Sequence, residues 1–227
     1  MQEHDGRQLF IWTGTFIGGL LSLLALIPDI RWRLALSFTL LAGLGAVLGA
    51  VLWGLMRWSF MDYTTGLYNR RHFVKELDAA LRHQRPFCLA ILDIDEFKKF
   101  NDRYGHLTGD RVLRTFSQLA SQGLRPMDTL ARWGGEEFAI ILSQTTANDG
   151  LAVVDRIRGD IENADMQGLL SITVSGGVAA FPRDADSADG LVGAADTALS
   201  VAKGSGNRVI LFSQAVQAEG KARSKHQ

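Results

Sequence analysis

The 227-residue chain predicts a palm-like α/β domain preceded by a hairpin of two apolar helices. Three observations predict this. Between Asn69 and Phe212, apolar runs of strand length alternate with amphipathic helical patterns. In the middle of that series two strands are separated only by a turn built on Gly134-Gly135, so one β-hairpin interrupts the β-α-β rhythm. Ahead of all this, the uncharged runs 9–27 and 34–56 are each long enough to cross a hydrocarbon core of about 30 Å as a helix.

Residues 1–61 form the apolar part. The connector 28–33 is short, so the two runs read as a helical hairpin in a membrane. A secretory signal peptide is the rival reading for the first run. Against it stand flanking Glu3, Asp5 and Arg7 in place of a basic cluster, and the lack of a clear small-x-small cleavage site. Trp12, Trp32, Trp53 and Trp58 fall near the span ends, where amphipathic rings favour the interface. Charge leaves the orientation open, because Arg31 and Arg33 compete with Arg7 and with Arg57, Arg70 and Arg71. Gly14 and Gly18, and Gly45 and Gly49, have a spacing that allows close helix contact in lipid, although ordinary glycine use in membrane helices also produces it.

Residues 62–213 form the soluble domain. Residues 69–82 predict an amphipathic helix with Phe73, Leu77, Ala80 and Leu81 on one face, and an apolar strand at 88–93 follows Pro86. A helix is expected over 108–121, with Thr108 or Gly109 as its N-cap and Val112, Leu113, Phe116 and Leu119 facing the core. The hairpin takes 129–133 and 138–142. Then come a helix over 148–163, a strand over 170–181 with a bulge at Gly176-Gly177, a helix over 187–203 and a last strand over 208–212. The layout resembles the ferredoxin-like core of polymerases and nucleotide cyclases. The polar, basic tail 214–227 is expected to be disordered. Lysine plus arginine equals aspartate plus glutamate, 24 each, so no basic footprint argues for a nucleic-acid partner. The single cysteine, Cys88, lies in an apolar strand and reads as a small core residue; no intramolecular disulfide can form.

The chemistry concentrates in Arg132-Trp133-Gly134-Gly135-Glu136-Glu137-Phe138. Two glycines permit a tight turn that a phosphate can approach closely, and two carboxylates follow at once. Alone, this run fits a solvated hairpin equally well. A second acidic site lies upstream, where the strand Cys88-Leu89-Ala90-Ile91-Leu92 ends in Asp93. Asp93 by itself would serve as a helix cap, but Asp95 and Glu96 already supply acid to the next helix start. Hard oxygen ligands on a strand end and an adjacent turn suit Mg²⁺ carried with a triphosphate.

Together these motifs resemble the GGDEF family of diguanylate cyclases. The likeness continues through Asn101-Asp102-Arg103-Tyr104-Gly105-His106 to Gly109-Asp110. It includes the opening Asp62-Tyr63-Thr64-Thr65-Gly66-Leu67-Tyr68-Asn69-Arg70-Arg71, and Ala195-Asp196 with Ala202-Lys203 near the end. It covers residues from about 62 to 212. It implies condensation of two GTP into cyclic di-GMP with release of two pyrophosphates, in a homodimer, with Mg²⁺ or Mn²⁺ as cofactor.

By residue, the resemblance implies metal binding by Asp93, the Ile94 carbonyl and Glu136. It makes Glu136 the acceptor of the 3′-hydroxyl proton and Glu137 a second catalytic carboxylate. Lys98 and Lys203 would contact phosphate, Asn101 and Asp110 would read guanine, and His106 would touch substrate; a histidine simply packed at a helix start fits His106 nearly as well. Arg125-Pro126-Met127-Asp128 matches an R-x-x-D inhibitory site for cyclic di-GMP, with Arg156 as a secondary contact from a neighbouring subunit. Because GTP is cytosolic, the domain would face the cytosol from a bacterial inner membrane that the chain crosses twice. Three departures stand out. The family's arginine after Gly206 is absent, Thr64 replaces a leucine, and Ser200 replaces a common tyrosine. A non-catalytic receptor for GTP or cyclic di-GMP is the alternative; intact Asp93, Glu136, Asn101 and Asp110 argue against it, and the absent arginine argues mildly for it. A different palm-type nucleotidyl transferase is disfavoured by Asp110.

Overall fold

The computed structural model describes residues 29–58, 60–164 and 172–224. The apolar run 9–27 lies outside them, so of the expected helical hairpin only the second helix is described. That helix, α1 (Ile30–Trp58), begins inside the expected connector, at Ile30. At about 1.5 Å per residue it exceeds a hydrocarbon core. Its stretch Leu34–Val51 is the one segment among the described residues long and apolar enough to span a membrane. Leu34, Phe38, Leu41 and Val47 are exposed on it, and a Cβ added at Gly45 or Gly49 would meet nothing within 4 Å.

The chain divides into two compact units between Ser59 and Phe60. The second unit runs β1 (Tyr68–Asn69), α2 (Arg70–Arg82), β2 (Phe87–Ile94), α3 (Phe97–Tyr104), α4 (His106–Gln122), β3 (Thr129–Arg132) and β4 (Glu137–Ser143). It continues with α5 (Ala147–Glu162), β5 (Val174–Phe181), α6 (Ala188–Lys203), β6 (Val209–Leu211) and α7 (Phe212–Ser224). The sheet order is β1-β3-β4-β2-β5-β6. Its four inner strands pair antiparallel, while β1 and β6 add parallel at the two edges. The inner four, read as β5-β2-β4-β3, have the ferredoxin-like order that the β-α-β rhythm predicts.

β2 is buried along its whole length, and its side chains alternate between two cores. Cys88, Ala90, Leu92 and Ile94 pack with Val112, Leu113 and Phe116 of α4 and with Val154, Ile157 and Ile161 of α5. Phe87, Leu89 and Ile91 pack with Phe73 and Leu77 of α2 and with Leu191, Ala194, Ala195 and Leu199 of α6. Asn69, Thr146 and Ser187 cap α2, α5 and α6, each accepting a backbone amide bond.

Three expectations are corrected. The helix expected from Thr108 begins at His106. Gly105, at φ 80°, separates it from the short α3, and Thr108 is buried inside the first turn, where it cannot cap. The bulge at Gly176-Gly177 does not form, for the ladder runs unbroken through Gly176↔Leu92 and Gly177↔Ile91. The glycines serve close packing instead: a Cβ on Gly177 would collide with the α6 backbone at Ala195 and Leu199, and one on Gly176 with the Leu92 side chain. The tail is helical to Ser224, and Ala215 is fully buried in a small core with Ala198, Ala202 and Ile210.

Candidate active site

β2 ends at the rim of an open cleft of about 810 Å³, bounded by α3, the β3–β4 turn and the 204–207 loop. Asp93 stands at that strand end and Glu136 on the turn, and both line the cleft with Lys203 from the last turn of α6. Asp93 is 4 % exposed and receives the Lys203 ammonium at 2.8 Å. Burial pushes the Asp93 carboxyl above its usual range; Lys203 opposes the rise and the Asp95 charge adds to it. Burial also raises Glu136, the charge of Asp93 adds to that, and Lys203 offsets part of it. Two carboxyls that crowd one another are what a hard cation relieves.

Among the described residues no three His, Cys, Asp or Glu side chains gather around one point. The Ile94 amide donates to the Glu136 carbonyl at 3.3 Å, which locks the turn beside the end of β2.

The turn is fastened from beneath. Arg132 donates to the carbonyls of Gly134 (3.1 Å) and Gly135 (2.6 Å) and forms an ion pair with Asp62 at 3.1 Å. Burial alone would raise Asp62, but the Thr65 hydroxyl and amide and the Arg132 guanidinium hold it below the usual carboxylate range. Trp133 packs edge-on against Phe73 and beneath the Arg70 guanidinium, 4.3 Å from the ring centre. The domain's opening segment therefore reaches the β3–β4 turn through one arginine. Nothing in the local pattern around Arg132 reveals this role.

The two glycines differ. Neither Gly134 nor Gly135 adopts a positive φ, so a left-handed turn is not the reason for them. A Cβ on Gly134 would strike the Glu137 carboxylate, which turns back against it, whereas Gly135 faces open space. Glu137 does not line the cleft.

Asn101 and Asp110 come together across the α3–α4 break. A Cβ on Gly109, the neighbour of Asp110, would collide with Asn101 Oδ1, so glycine makes room for the amide. That Oδ1 is buried without a hydrogen-bond partner. Asp110 is half-buried and Lys98 and His106 are exposed; none of the three lines the cleft, nor does Asn101.

Asp95 caps nothing. Its carboxylate accepts from Thr173 Oγ1 (2.7 Å), Ser175 Oγ (2.7 Å) and the Asn207 amide (2.9 Å). It thereby ties the 204–207 loop to the start of β5. Thr64, in place of the family's leucine, is buried, and its carbonyl accepts from Arg114 at 3.1 Å.

At the far end of the β3–β4 hairpin, Asp128 accepts from the Arg125 amide (2.9 Å) and the Ser143 amide (3.1 Å). Arg156 of α5 donates to the Gly123 carbonyl at 2.8 Å.

Comparison with known proteins agrees with this architecture. Residues 59–208 match the family described as diguanylate cyclase, GGDEF domain. The response regulator PleD of Caulobacter vibrioides is 35% identical over 159 residues, covering 66% of this chain and 35% of PleD. The diguanylate cyclase DosC of Escherichia coli K12 is 37% identical over 161 residues, 67% of this chain and 35% of its own. The chain thus spans about a third of the length of these relatives. The crystal structure of the GGDEF domain of DgcB from Caulobacter crescentus in complex with c-di-GMP superposes with a TM-score of 0.62 at 36% identity, over 68% of this chain and 93% of that one. With the family matched over most of its length and the fold shared, this chain belongs to the GGDEF-domain diguanylate cyclases.

Proposed function

We propose that the protein condenses two GTP molecules into cyclic di-GMP and two pyrophosphates. In each half-reaction a 3′-hydroxyl oxygen bonds to the α-phosphorus of the other nucleotide, the bond to pyrophosphate breaks, and the hydroxyl proton leaves. The observation that carries the reading is the convergence of Asp93, Glu136 and Lys203 at one cleft rim. Asp93 and Glu136, with the Ile94 carbonyl, would hold Mg²⁺, or Mn²⁺ in its place. When bound, the metal neutralises phosphate charge and sharpens the hydroxyl as nucleophile. Glu136 accepts the 3′-hydroxyl proton. Lys203, which pairs with Asp93 at the cleft rim, would contact phosphate. Asp110 accepts from guanine N1 and N2, and the Asn101 amide, whose Oδ1 has no partner, supplies the remaining contact.

One domain offers one such site, so the product's two halves require two copies, and the active form is a homodimer. The helix α1, together with the run 9–27, anchors the chain in the inner membrane as a multi-pass protein with the domain cytosolic. Cyclic di-GMP inhibits from the shoulder of Arg125, Asp128 and Arg156, and the c-di-GMP complex of DgcB supports product binding by this domain type.

The full-length protein, purified in detergent and incubated with GTP and Mg²⁺, is expected to release pyrophosphate and yield cyclic di-GMP by mass spectrometry. Binding of cyclic di-GMP without any turnover would instead establish the receptor reading.

A further inference from the structure

The cleft wall formed by α3 carries two cations that the mechanism above does not use. We propose that Lys99 and Arg103 grip the β- and γ-phosphates of bound GTP. The assignment rests on the GTP-condensing reading and fills in its polyphosphate subsite.

A triphosphate tail entering this cleft meets an acidic floor of Asp93, Asp95 and Glu136, so it needs cations on the walls. Most nearby cations are committed or turned away. Lys203, already given to phosphate above, is paired with Asp93. Arg158 is held by Asp155 and Glu162, each at 2.7 Å. Arg208 bonds Ser205 Oγ at 3.2 Å and does not line the cleft.

Arg208 is also not free to swing in, because its loop is fastened on both sides. The Asn207 amide donates to Asp95 at 2.9 Å, and Asn207 Nδ2 donates to Glu162 at 2.7 Å. Asn207 Oδ1 accepts from Arg158 at 2.8 Å, and the Arg208 carbonyl accepts from the Gly176 amide at 2.9 Å.

The opposite wall supplies what is lacking. Lys99 and Arg103 are four residues apart on α3, so they share a face, and both line the cleft across from Gly204–Asn207. Among the described residues Lys99 pairs only with Glu96; the two side chains are 76% and 69% exposed, and exposed pairs of this kind are easily given up. Arg103 makes no ion pair among the described residues and lies 5.2 Å from the Tyr104 ring centre. A guanidinium presents parallel donors that match two phosphate oxygens. These side chains would thus take the place of the arginine absent after Gly206.

The test measures the affinity of the full-length protein for α,β-methylene-GTP, which cannot be cyclised, and for GMP, which lacks the tail. Arg103→Ala is expected to weaken the triphosphate analogue about ten-fold, the size of one charge-assisted hydrogen bond, and to leave GMP unchanged. Lys99→Ala has a smaller effect in the same direction, Arg103→Lys recovers part of the loss, and Arg208→Ala changes neither ligand. With GTP the loss appears in KM while kcat holds. Unchanged analogue affinity in both α3 variants, or an equal loss for GMP, overturns the assignment, as does a loss seen only in Arg208→Ala. A wild-type protein that binds the analogue but forms no cyclic di-GMP overturns the cyclase reading while leaving this comparison readable. One that binds no nucleotide overturns both.

Discussion

The β3–β4 hairpin has two ends built from the same residue types in opposite states. At its tip, Glu136 and Asp93 crowd one another in a partly desolvated cleft, and both carboxyls are raised by burial first. At its shoulder, Asp128 is already satisfied by two backbone amides and Arg156 by a carbonyl. The tip stores electrostatic conflict that a ligand can resolve. The shoulder is a finished turn that offers the exposed Arg125 side chain outward. A carboxylate's part in function therefore follows from what remains unsatisfied around it, and substitutions at the two ends should separate accordingly.

The largest effect belongs to the tip. Glu136→Gln removes the proposed metal ligand and proton acceptor, so turnover should fall on the order of 10³-fold or more. Its melting temperature should hold or rise, since a mutual repulsion is relieved. Near-normal pyrophosphate release from this variant would move the chemistry to other residues.

Next comes base choice. ATP would leave the Asp110 carboxylate facing an acceptor nitrogen, a mismatch worth about 1–3 kcal/mol for a bidentate contact. Asp110→Ser should therefore lose GTP preference and form mixed or adenine-containing cyclic dinucleotides in a GTP/ATP competition read by mass. An unchanged product ratio would leave specificity to Asn101.

The shoulder should divide cleanly. Arg125→Ala is expected to abolish product inhibition without changing turnover or stability, because its side chain is exposed and only its backbone is engaged. Asp128→Ala should also lose inhibition, but at a cost of about 1–2 kcal/mol in denaturant unfolding, because two amides lose their acceptor. Equal stability of the two variants would break the comparison between tip and shoulder.

Much of this was legible in sequence, for identifiable reasons. The strand ending at Asp93, the hairpin and the helices starting near Asn69 and Ser187 follow from local periodicity and side-chain chemistry. So does the ferredoxin-like order, once strands and helices alternate around a single hairpin. What stayed hidden depends on distant partners. Asp95 reads locally as helix-start acid, yet its oxygens go to Thr173, Ser175 and Asn207. Gly176-Gly177 reads as a bulge because the sequence carries no sign of the α6 backbone lying over the strand. The tail reads as disordered because Ala215, which is fully buried, is too small to mark a packed face. Lys99 and Arg103 were visible only as ordinary helix charges until the cleft gave their shared face a direction.

The smallest expected effect lies where the tip is anchored. Asp62 and Arg132 each keep 15% side-chain exposure, and Arg132 passes the contact on to the Gly134 and Gly135 carbonyls. Asp62→Asn keeps the shape and the Thr65 contacts but removes the charge, which should cost about 1 kcal/mol of domain stability at neutral pH. The Asp62 carboxyl is held below its usual value in the folded state. The unfolded chain therefore binds its proton first as pH falls, and the stabilisation is fully present above the ordinary carboxylate range. It declines as the pH drops through the lower folded value, so wild type and Asp62→Asn should converge in strongly acid solution. Denaturant midpoints from pH 7 down to about pH 3 measure the gap. A gap that stays constant over that range would mean the pair contributes through shape rather than charge. Any loss of turnover in Asp62→Asn at pH 7 beyond its stability loss would show that the opening segment sets the position of Glu136.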